Sequence, residues 1–594
     1  MKWKNKLWAL VFSLLATELL HGSAEDWRPD FNWPMHEDPL LEIPGRIHWF
    51  DSKLTGLWLT ALDRPEADVR RQAAAAIGRG YQQGMKTALK AADRLRAMLE
   101  EPDPDRRVRL TVAKTLVYLD DRQAAQTLVK RSKHDGLEMI LIVDPALVSW
   151  DYKPARKVWL DRLKNQDTPP AVLLSAIRSL GQVGEAGAAS WFEAIAISPQ
   201  AEFSHRLVAA QMLGHVVGQG LVRAAQPLAS GSITDRLAAA FMLASHRDDQ
   251  ALAILLDLAQ DNEPVIASAA LKILVTFNPR LITPLAGQLL LNTDANVRRI
   301  TVTGVAAQHS LPAIALLDDF LNDTDPKVRN QVRQTLEDFD AHPSISTAVR
   351  QAGMKMLKTD QWRGAEQAAY LLGRLNHEPA VPRLLELLSF DRAETRLAAA
   401  VALRWLAVES SLPDVLQHAT QLTNRVDQGE RSDRHNEDFS NEMAQIMQMF
   451  GQMMYRSAEP LARRYFPKHS YHSRARGAAF WALGCWYTDH PDAALARGFA
   501  ERLSDLEPMN SENELVRKMS AIGIGKMQAK EELDVLEKFN DGDEPATPVG
   551  MACRWAIMRM TDQTLPPPLP HRTKLTGWFL EPAFELGLPN IANE

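Results

Sequence analysis

The sequence predicts an all-α fold, a right-handed solenoid of stacked helical hairpins, and three observations carry that expectation. The chain has 594 residues, 46% of them apolar and 24% charged, which is too long for one ordinary core yet ordinary for a folded protein. A short motif recurs along it at a nearly constant interval. Between the copies, amphipathic stretches alternate with polar turns, and long strand-like runs of Val, Ile, Thr and Tyr are scarce.

The motif is first met at Asp68-Val69-Arg70, followed by Ala73, Ala74, Ile77 and Gly78. It returns at Val108-Arg109, Asp235-Arg236, Val297-Arg298, Val328-Arg329, Thr395-Arg396 and Val516-Arg517, each followed by small or branched apolar residues. Degenerate copies lie near Val172, Arg206, Ile266, Arg363, Arg474 and Val549. From Arg206 to Arg396 the anchors fall 30 to 34 residues apart, room for two short helices and two turns. One hairpin of that size cannot bury its own apolar face, whereas a stack makes a continuous core.

Each anchor is preceded by a second amphipathic stretch: Asp249 to Asp261, Leu281 to Asn292, Leu311 to Asp323 and Ala380 to Asp391. Leu, Ile and Ala recur there at three- and four-residue steps, which makes one buried helical face. Each stretch runs into a turn rich in Asp, Asn, Thr or Pro, such as Asn322-Asp323-Thr324-Asp325-Pro326. Those side chains can accept hydrogen bonds from the free N–H groups of the next helix, and Pro326 suits a first-turn position. The paired alanines let neighbouring helices approach closely.

An Asp at the turn, then Val-Arg, then small residues and a Leu, at a period near 30, resembles HEAT repeats. The short period is most similar to the bacterial subtype named after the phycobilin lyases. The resemblance covers roughly residues 60 to 405 and 470 to 563. It implies that Arg70, Arg109, Arg236, Arg298, Arg329, Arg396 and Arg517 brace neighbouring repeats, and that the solenoid binds other proteins.

The remaining segments break the pattern. Lys2, Lys4 and Lys6 precede an apolar run from Leu7 to Leu20, then Gly22 and Ala24. That layout reads residues 1–24 as a secretory signal peptide cut after Ala24. An uncleaved anchor is the alternative, although the run is shorter than the roughly 20 residues a span needs and contains Glu18. Periplasmic or extracellular location is therefore expected, with no membrane span after cleavage. Residues 25–60 hold Trp27, Phe31, Trp33, Trp49, Phe50 and Trp58, read as a cap on the open end of the array over 61–405, or as a stacking platform for sugar or a partner's aromatics.

Residues 406–472 read as an insertion. Asn424 to Asp438 is charged and expected to be a surface loop, and a Met-rich helix follows, with Met443, Met447, Phe450 and Met454 on one face. Such a stripe is core filler or an adaptable docking face; soft-metal binding, with His469 and His472, is the weaker alternative. Further repeats are expected over 473–563. The tail over 564–594, with Leu565-Pro566-Pro567-Pro568-Leu569-Pro570 and then Trp578, Phe579 and Phe584, either lies back along the last repeat or extends as a partner-binding tail. Cys485 and Cys553 read as buried free thiols, with a disulfide as the alternative.

Catalytic signatures are missing. The sequence has no G-x-G-x-x-G, Walker loop, H-E-x-x-H helix or G-x-S-x-G elbow. Deoxyhypusine hydroxylase shares the repeat architecture and places His-Glu iron ligands just after the Arg anchor. Here those places read Arg71-Gln72, Leu110-Thr111, Leu207-Val208, Leu237-Ala238, Arg299-Ile300 and Leu397-Ala398, none of which ligates iron. His36-Glu37 and His377-Glu378 occur elsewhere, in proline-flanked turns. A net charge of -6 gives no footprint for nucleic acid. The expectation is a monomeric, non-catalytic exported scaffold, without cofactor or metal, that holds a protein or extended peptide on its concave face. Its candidate partner-binding residues are Trp27, Trp33, Trp49, Met443, Met447, Phe450 and Met454. The competing readings are a solenoid enzyme or cofactor carrier resembling phycobilin lyases or deoxyhypusine hydroxylase, and carbohydrate or cell-wall binding through the Trp-rich start.

Overall fold

The computed structural model of the protein describes residues 32–49, 53–429, 433–468 and 471–574. The leader with Ala24, Trp27, Phe31, His469, and Trp578 onward lie outside the described residues, as does the side chain of Trp49. Apart from two three-residue strands, Ile47–Trp49 and Arg572–Lys574, the described chain is helices and the turns between them. It forms two compact units. One holds residues 48–282 and the other residues 32–47 with Thr283–Arg572.

In each unit the anchor-bearing helices form a single row, every member packed on the next. The first row is α1 (Ala67–Gln82), α2 (Arg106–Tyr118), α3 (Leu137–Ser149), α4 (Pro170–Gln182), α5 (Phe203–Val216), α6 (Ile233–Met242) and α7 (Pro264–Phe277). The second is α8 (Ala295–Ala306), α9 (Pro326–Asp340), α10 (Trp362–Arg374), α11 (Ala393–Leu406), α12 (Asp433–Gln452), α13 (Ser473–Trp486), α14 (Glu514–Met527) and α15 (Pro548–Thr561). Partner helices such as Leu54–Leu62, Pro343–Leu357 and Ala493–Ser504 pack against one side of the row. An all-α solenoid of helical pairs is therefore what the period near 30 produces.

The turns explain the register. In Asp103-Pro104-Asp105 and Asp323-Thr324-Asp325 the second Asp caps the coming row helix: Asp105 accepts from the Arg107 N–H at 2.8 Å, and Asp325 from the Lys327 and Val328 N–H groups at 2.8 and 3.1 Å. Pro326 opens α9, where its missing N–H removes no helical bond. Within the row, small residues meet at the crossings. Ala73, Ala74, Ala239, Ala240, Ala399 and Ala400 are buried. A methyl added at Gly484 of α13 would sit 3.0 Å from the Gly523 Cα of α14, and one at Gly525 of α14 2.8 Å from the Ala556 Cα of α15. These helices approach closely because glycine brings no side chain to the crossing.

Residues 406–472 do not interrupt the stack. They form the helical pair Leu412–Asp427 and α12, and α12 packs between α11 and α13. The charged stretch is mostly helix rather than loop: the first helix runs to Asp427 and α12 begins at Asp433. Its polar residues stay helical because they are bonded outward, with Arg464 donating to Asn424 at 2.9 Å and Tyr471 to Asp427 at 2.6 Å. The N-terminal segment also departs from a simple cap. Trp58 on the helix Leu54–Leu62 is buried beside α1, with its ring against Gly80, but residues 32–47 belong to the second unit. At the other end, Ala546 donates to the Leu569 carbonyl at 2.8 Å and Arg554 of α15 to the Pro566 carbonyl, so the proline run lies back along the last row helix. Both cysteines are free and buried.

Candidate functional site

Two sets of polar side chains are organised by this fold. The first is a ladder of arginines. Arg70 on α1 donates through Nε to Asp103 at 2.6 Å, and through Nη1 to the carbonyls of Arg64 and Pro65 at 2.7 and 2.6 Å. Arg298 on α8 repeats this with Asp323, at 2.7 Å from both Nε and Nη2, and with the carbonyls of Asn292 and Thr293 at 2.9 and 3.0 Å. Arg109 reaches Asp135 at 2.9 Å and Arg236 reaches Asp261 at 3.1 Å. The guanidiniums of Arg70, Arg109 and Arg298 thus satisfy carbonyls just ahead of their own helices and a carboxylate of the next repeat, and Arg236 makes the carboxylate contact.

For Arg329 and Arg396 a row helix supplies the acid instead of a turn. Arg329 meets Glu366 of α10 at 3.7 Å, and Arg396 meets Glu442 of α12 at 3.1 Å, with His418 on the other carboxylate oxygen at 2.7 Å. Arg517 donates to the Leu503 carbonyl at 2.9 Å and lies over the Phe539 ring at 5.3 Å. Arg476 and Glu512, which the motif search passed over, make the same kind of buried pair at 2.6 Å. These arginines join one part of the stack to the next.

The second set lies on the row face of α11 to α14, and the chain's own residues 32–38 sit on it. Arg404 of α11 donates to the Asn32 carbonyl and to its Oδ1, both at 3.0 Å. The Met35 N–H donates to Gln448 Oε1 of α12 at 3.0 Å. Trp481 Nε1 of α13 donates to the Asp38 carbonyl at 2.8 Å, and Lys526 of α14 pairs with the Asp38 carboxylate at 2.6 Å. Trp33 stands under the Arg474 guanidinium at 5.5 Å, and Met35 is 1% exposed. Three of these bonds go to main-chain atoms and so hold the segment, which turns once at Pro34–Glu37, without reading its side chains.

No periodic pattern in the chain marks this face. Gln445, Gln448 and Gln452 form a stripe on α12 roughly opposite Met443, Met447 and Phe450. Gln445 accepts from Arg404 Nε at 2.7 Å, and both Gln445 and Gln448 are buried beneath the segment. Burial lowers the Arg404 pKa to about 10, so the group stays charged at neutral pH. A cavity of about 530 Å³ remains beside the segment, bounded by Glu37, Asp38, Gly451, Trp481, Cys485 and Lys526. A larger cleft of about 1060 Å³ lies at the turns around Arg476, Glu512 and Arg517, where Arg476 and Glu512 are already paired with each other.

The methionine stripe does not serve as a docking face. Met443, Met447 and Phe450 are 0% exposed within the core, and Met454 alone is open to solvent, at 53%. A helical apolar stripe has the same spacing whether it faces a partner or the next layer, and here the helix Leu412–Asp427 and α13 cover it. Of the tryptophans, Trp33 is in the segment on α11 to α14, while Trp27 and the Trp49 side chain fall outside the described residues. Burial pushes the thiols of Cys485 and Cys553 up to about 12, which keeps them protonated and unreactive. Among the described residues no group of three or more His, Cys, Asp or Glu is placed to hold a metal ion, and no helix is long and apolar enough to cross a membrane.

Rows of paired helices joined through arginine and acid define a class, the α-solenoid built for surface area rather than for an enclosed pocket. Residues 56–140 match the HEAT repeats, and no subtype within that family is assigned. Among solved structures it is similar to yeast importin-beta (Kap95p), with a TM-score of 0.51 at 13% identity, over 86% of this chain and 72% of that one. A second structure concerns Kap95p binding that brings the switch loops of RanGDP to the GTP-bound conformation, with a TM-score of 0.52 at 13% identity over the same shares of each chain. At such identity the likeness is one of fold. No curated protein matches the chain in sequence.

Proposed function

We propose that this chain is a non-catalytic scaffold that works outside the cytoplasm and holds a protein or an extended peptide on the face formed by α11 to α14. One observation carries the reading: the face already holds a short peptide segment, residues 32–38 with one helical turn at Pro34–Glu37, through donors and acceptors aimed at its backbone. Side chains that satisfy main-chain groups give affinity for an extended chain, and neighbouring pockets add specificity. Export rests on the basic start, short apolar run and small residues ending at Ala24.

Photo-crosslinking residues placed at Gln452 and Thr488, on the rim of the cavity, should capture a protein partner in the cells that make this chain. Capture from the outer ends of the partner helices alone would refute the location. For export, mass spectrometry of the native protein should find Glu25 as its first residue, and recovery of soluble cytoplasmic chain retaining Met1 would refute it.

A further inference from the structure

We infer that the face of α11 to α14 selects an acidic peptide that makes one helical turn and places a buried apolar side chain three residues ahead of a carboxylate, and that residues 32–38 close this face as an intramolecular strap until such a partner displaces them. The inference rests on the peptide-holding role proposed above and adds to it the partner's chemistry and a means of regulation.

Charge complementarity is the first argument. The face presents four cations, Arg404, Arg474, Lys518 and Lys526, one or more from each of α11, α13 and α14. The strap brings Glu37 and Asp38. Lys526 pairs with Asp38 and lies 5.9 Å from the centre of the Trp481 ring, whose N–H holds the Asp38 carbonyl, so one residue is read at both its side chain and its backbone. Arg404 is bonded to the Asn32 carbonyl, Asn32 Oδ1 and Gln445, three neutral acceptors, with Glu37 as the charge that favours its cationic form. A buried cation answered only by neutral acceptors favours an occupant that carries acid.

Shape is the second argument. Met35 is the one strap side chain wholly buried with its amide bonded to the face, and Asp38 follows three residues later. The short turn at Pro34–Glu37 sets that spacing, through bonds from the His36 N–H to the Trp33 carbonyl at 2.8 Å and the Asp38 N–H to the Pro34 carbonyl at 3.0 Å.

Displaceability is the third. The strap is only seven residues long, held by buried Pro34 and Met35, by hydrogen bonds with Arg404, Gln448 and Trp481, and by an ion pair whose Asp38 side chain is 55% exposed. Exposed pairs of that kind hold weakly, and no cysteine lies in the strap to lock it. Its advantage is its tether. A tethered segment faces its site at an effective concentration on the order of 1 mM, so a peptide that binds the open face at about 10 µM would bind the closed chain about 100-fold more weakly.

The test uses the full chain and a fluorescein-labelled peptide of residues 30–41. The peptide should bind a strap-release variant, Met35→Asp with Asp38→Lys, and bind the unaltered chain about 100-fold more weakly. The same peptide carrying those two changes should bind neither chain. Adding Lys526→Glu to the release variant should cut binding at least tenfold, and a peptide with Asp38→Lys alone should restore it. In the unaltered chain, excess peptide should speed hydrogen exchange at the Met35 and Asp38 amides, a readout that needs no variant. Equal affinity for both chains, unchanged strap exchange, or absence of binding to a release variant that keeps its helical melt would overturn the strap. If the altered peptide bound as tightly as the original, the Met-to-Asp selection would fail while peptide holding stood. If crosslinks placed the partner elsewhere, the proposed function itself would fail.

Discussion

Replacing Arg298 with Met tests whether the ladder holds the array. The Asp323 side chain is 4% exposed and accepts two bonds at 2.7 Å from Arg298 and one from the Asp325 N–H at 2.8 Å. Methionine keeps the length of the side chain and removes every donor, which leaves a buried carboxylate with one backbone bond and frees the carbonyls of Asn292 and Thr293. Breaking a buried pair from one side costs about 3–5 kcal/mol. A long repeat array does not unfold as one two-state body, so the cost should appear locally. Amides of α8 and α9 should therefore exchange faster by about 100-fold to 1000-fold or more, at roughly 1.4 kcal/mol per factor of ten. Asp323→Ala should give a similar loss, and the double variant much less than the sum. Additivity within about 0.5 kcal/mol would show that the two groups are merely adjacent and would refute the ladder.

Three further outcomes follow from the same geometry. Burial raises the Glu366 pKa from 4.5 to about 7 against the opposing pull of Arg329. Because the folded value lies above the unfolded one, stability is full below about pH 4.5 and declines as pH rises through about 7, by up to about 3 kcal/mol; Glu366→Gln should flatten that decline in melts taken from pH 4 to 8, and an unchanged slope would assign it elsewhere. Met447→Ala should cost about 2–5 kcal/mol in urea unfolding followed at α12 and α13, whereas a docking residue would lose partner binding with an unchanged melt. Neither Cys485 nor Cys553 should react with a thiol reagent at pH 8 until the chain is unfolded, and rapid labelling of the native protein would contradict their burial.

The repeats were legible because a hairpin of fixed length writes its buried face and its Arg at a fixed interval. The caps were legible too, since Asp105, Asp294 and Asp325 act on N–H groups within three residues of themselves. What the turn's other acid does was hidden: Asp103 and Asp323 look like further turn residues, yet their partners Arg70 and Arg298 stand 33 and 25 positions earlier. The glycine contacts were missed because Gly484 and Gly523 matter only once α13 and α14 lie side by side. The strap was beyond reach. Asn32 and Arg404 are 372 positions apart, and Asp38 and Lys526 are 488 apart; contacts at that separation leave no periodic trace, and Pro34, Met35 and Asp38 in isolation resemble any polar lead-in.

The turn that carries Asp323 has a wider consequence. Its carboxylate answers the arginine of the repeat before it, while its carbonyl accepts from Arg329 of its own repeat at 3.3 Å. Every such turn is a joint between two generations of the motif, so cutting the gene within a repeat would orphan a charge on each side. Whole units running from one arginine to the next acid can be gained or lost, because the new ends still match. The pair formed by Leu412–Asp427 and α12 shows the tolerance of this grammar. Its helices are longer than their neighbours, but Glu442 takes the acid's place for Arg396 and the register carries on. An array built this way can be lengthened by duplication without redesigning its joints.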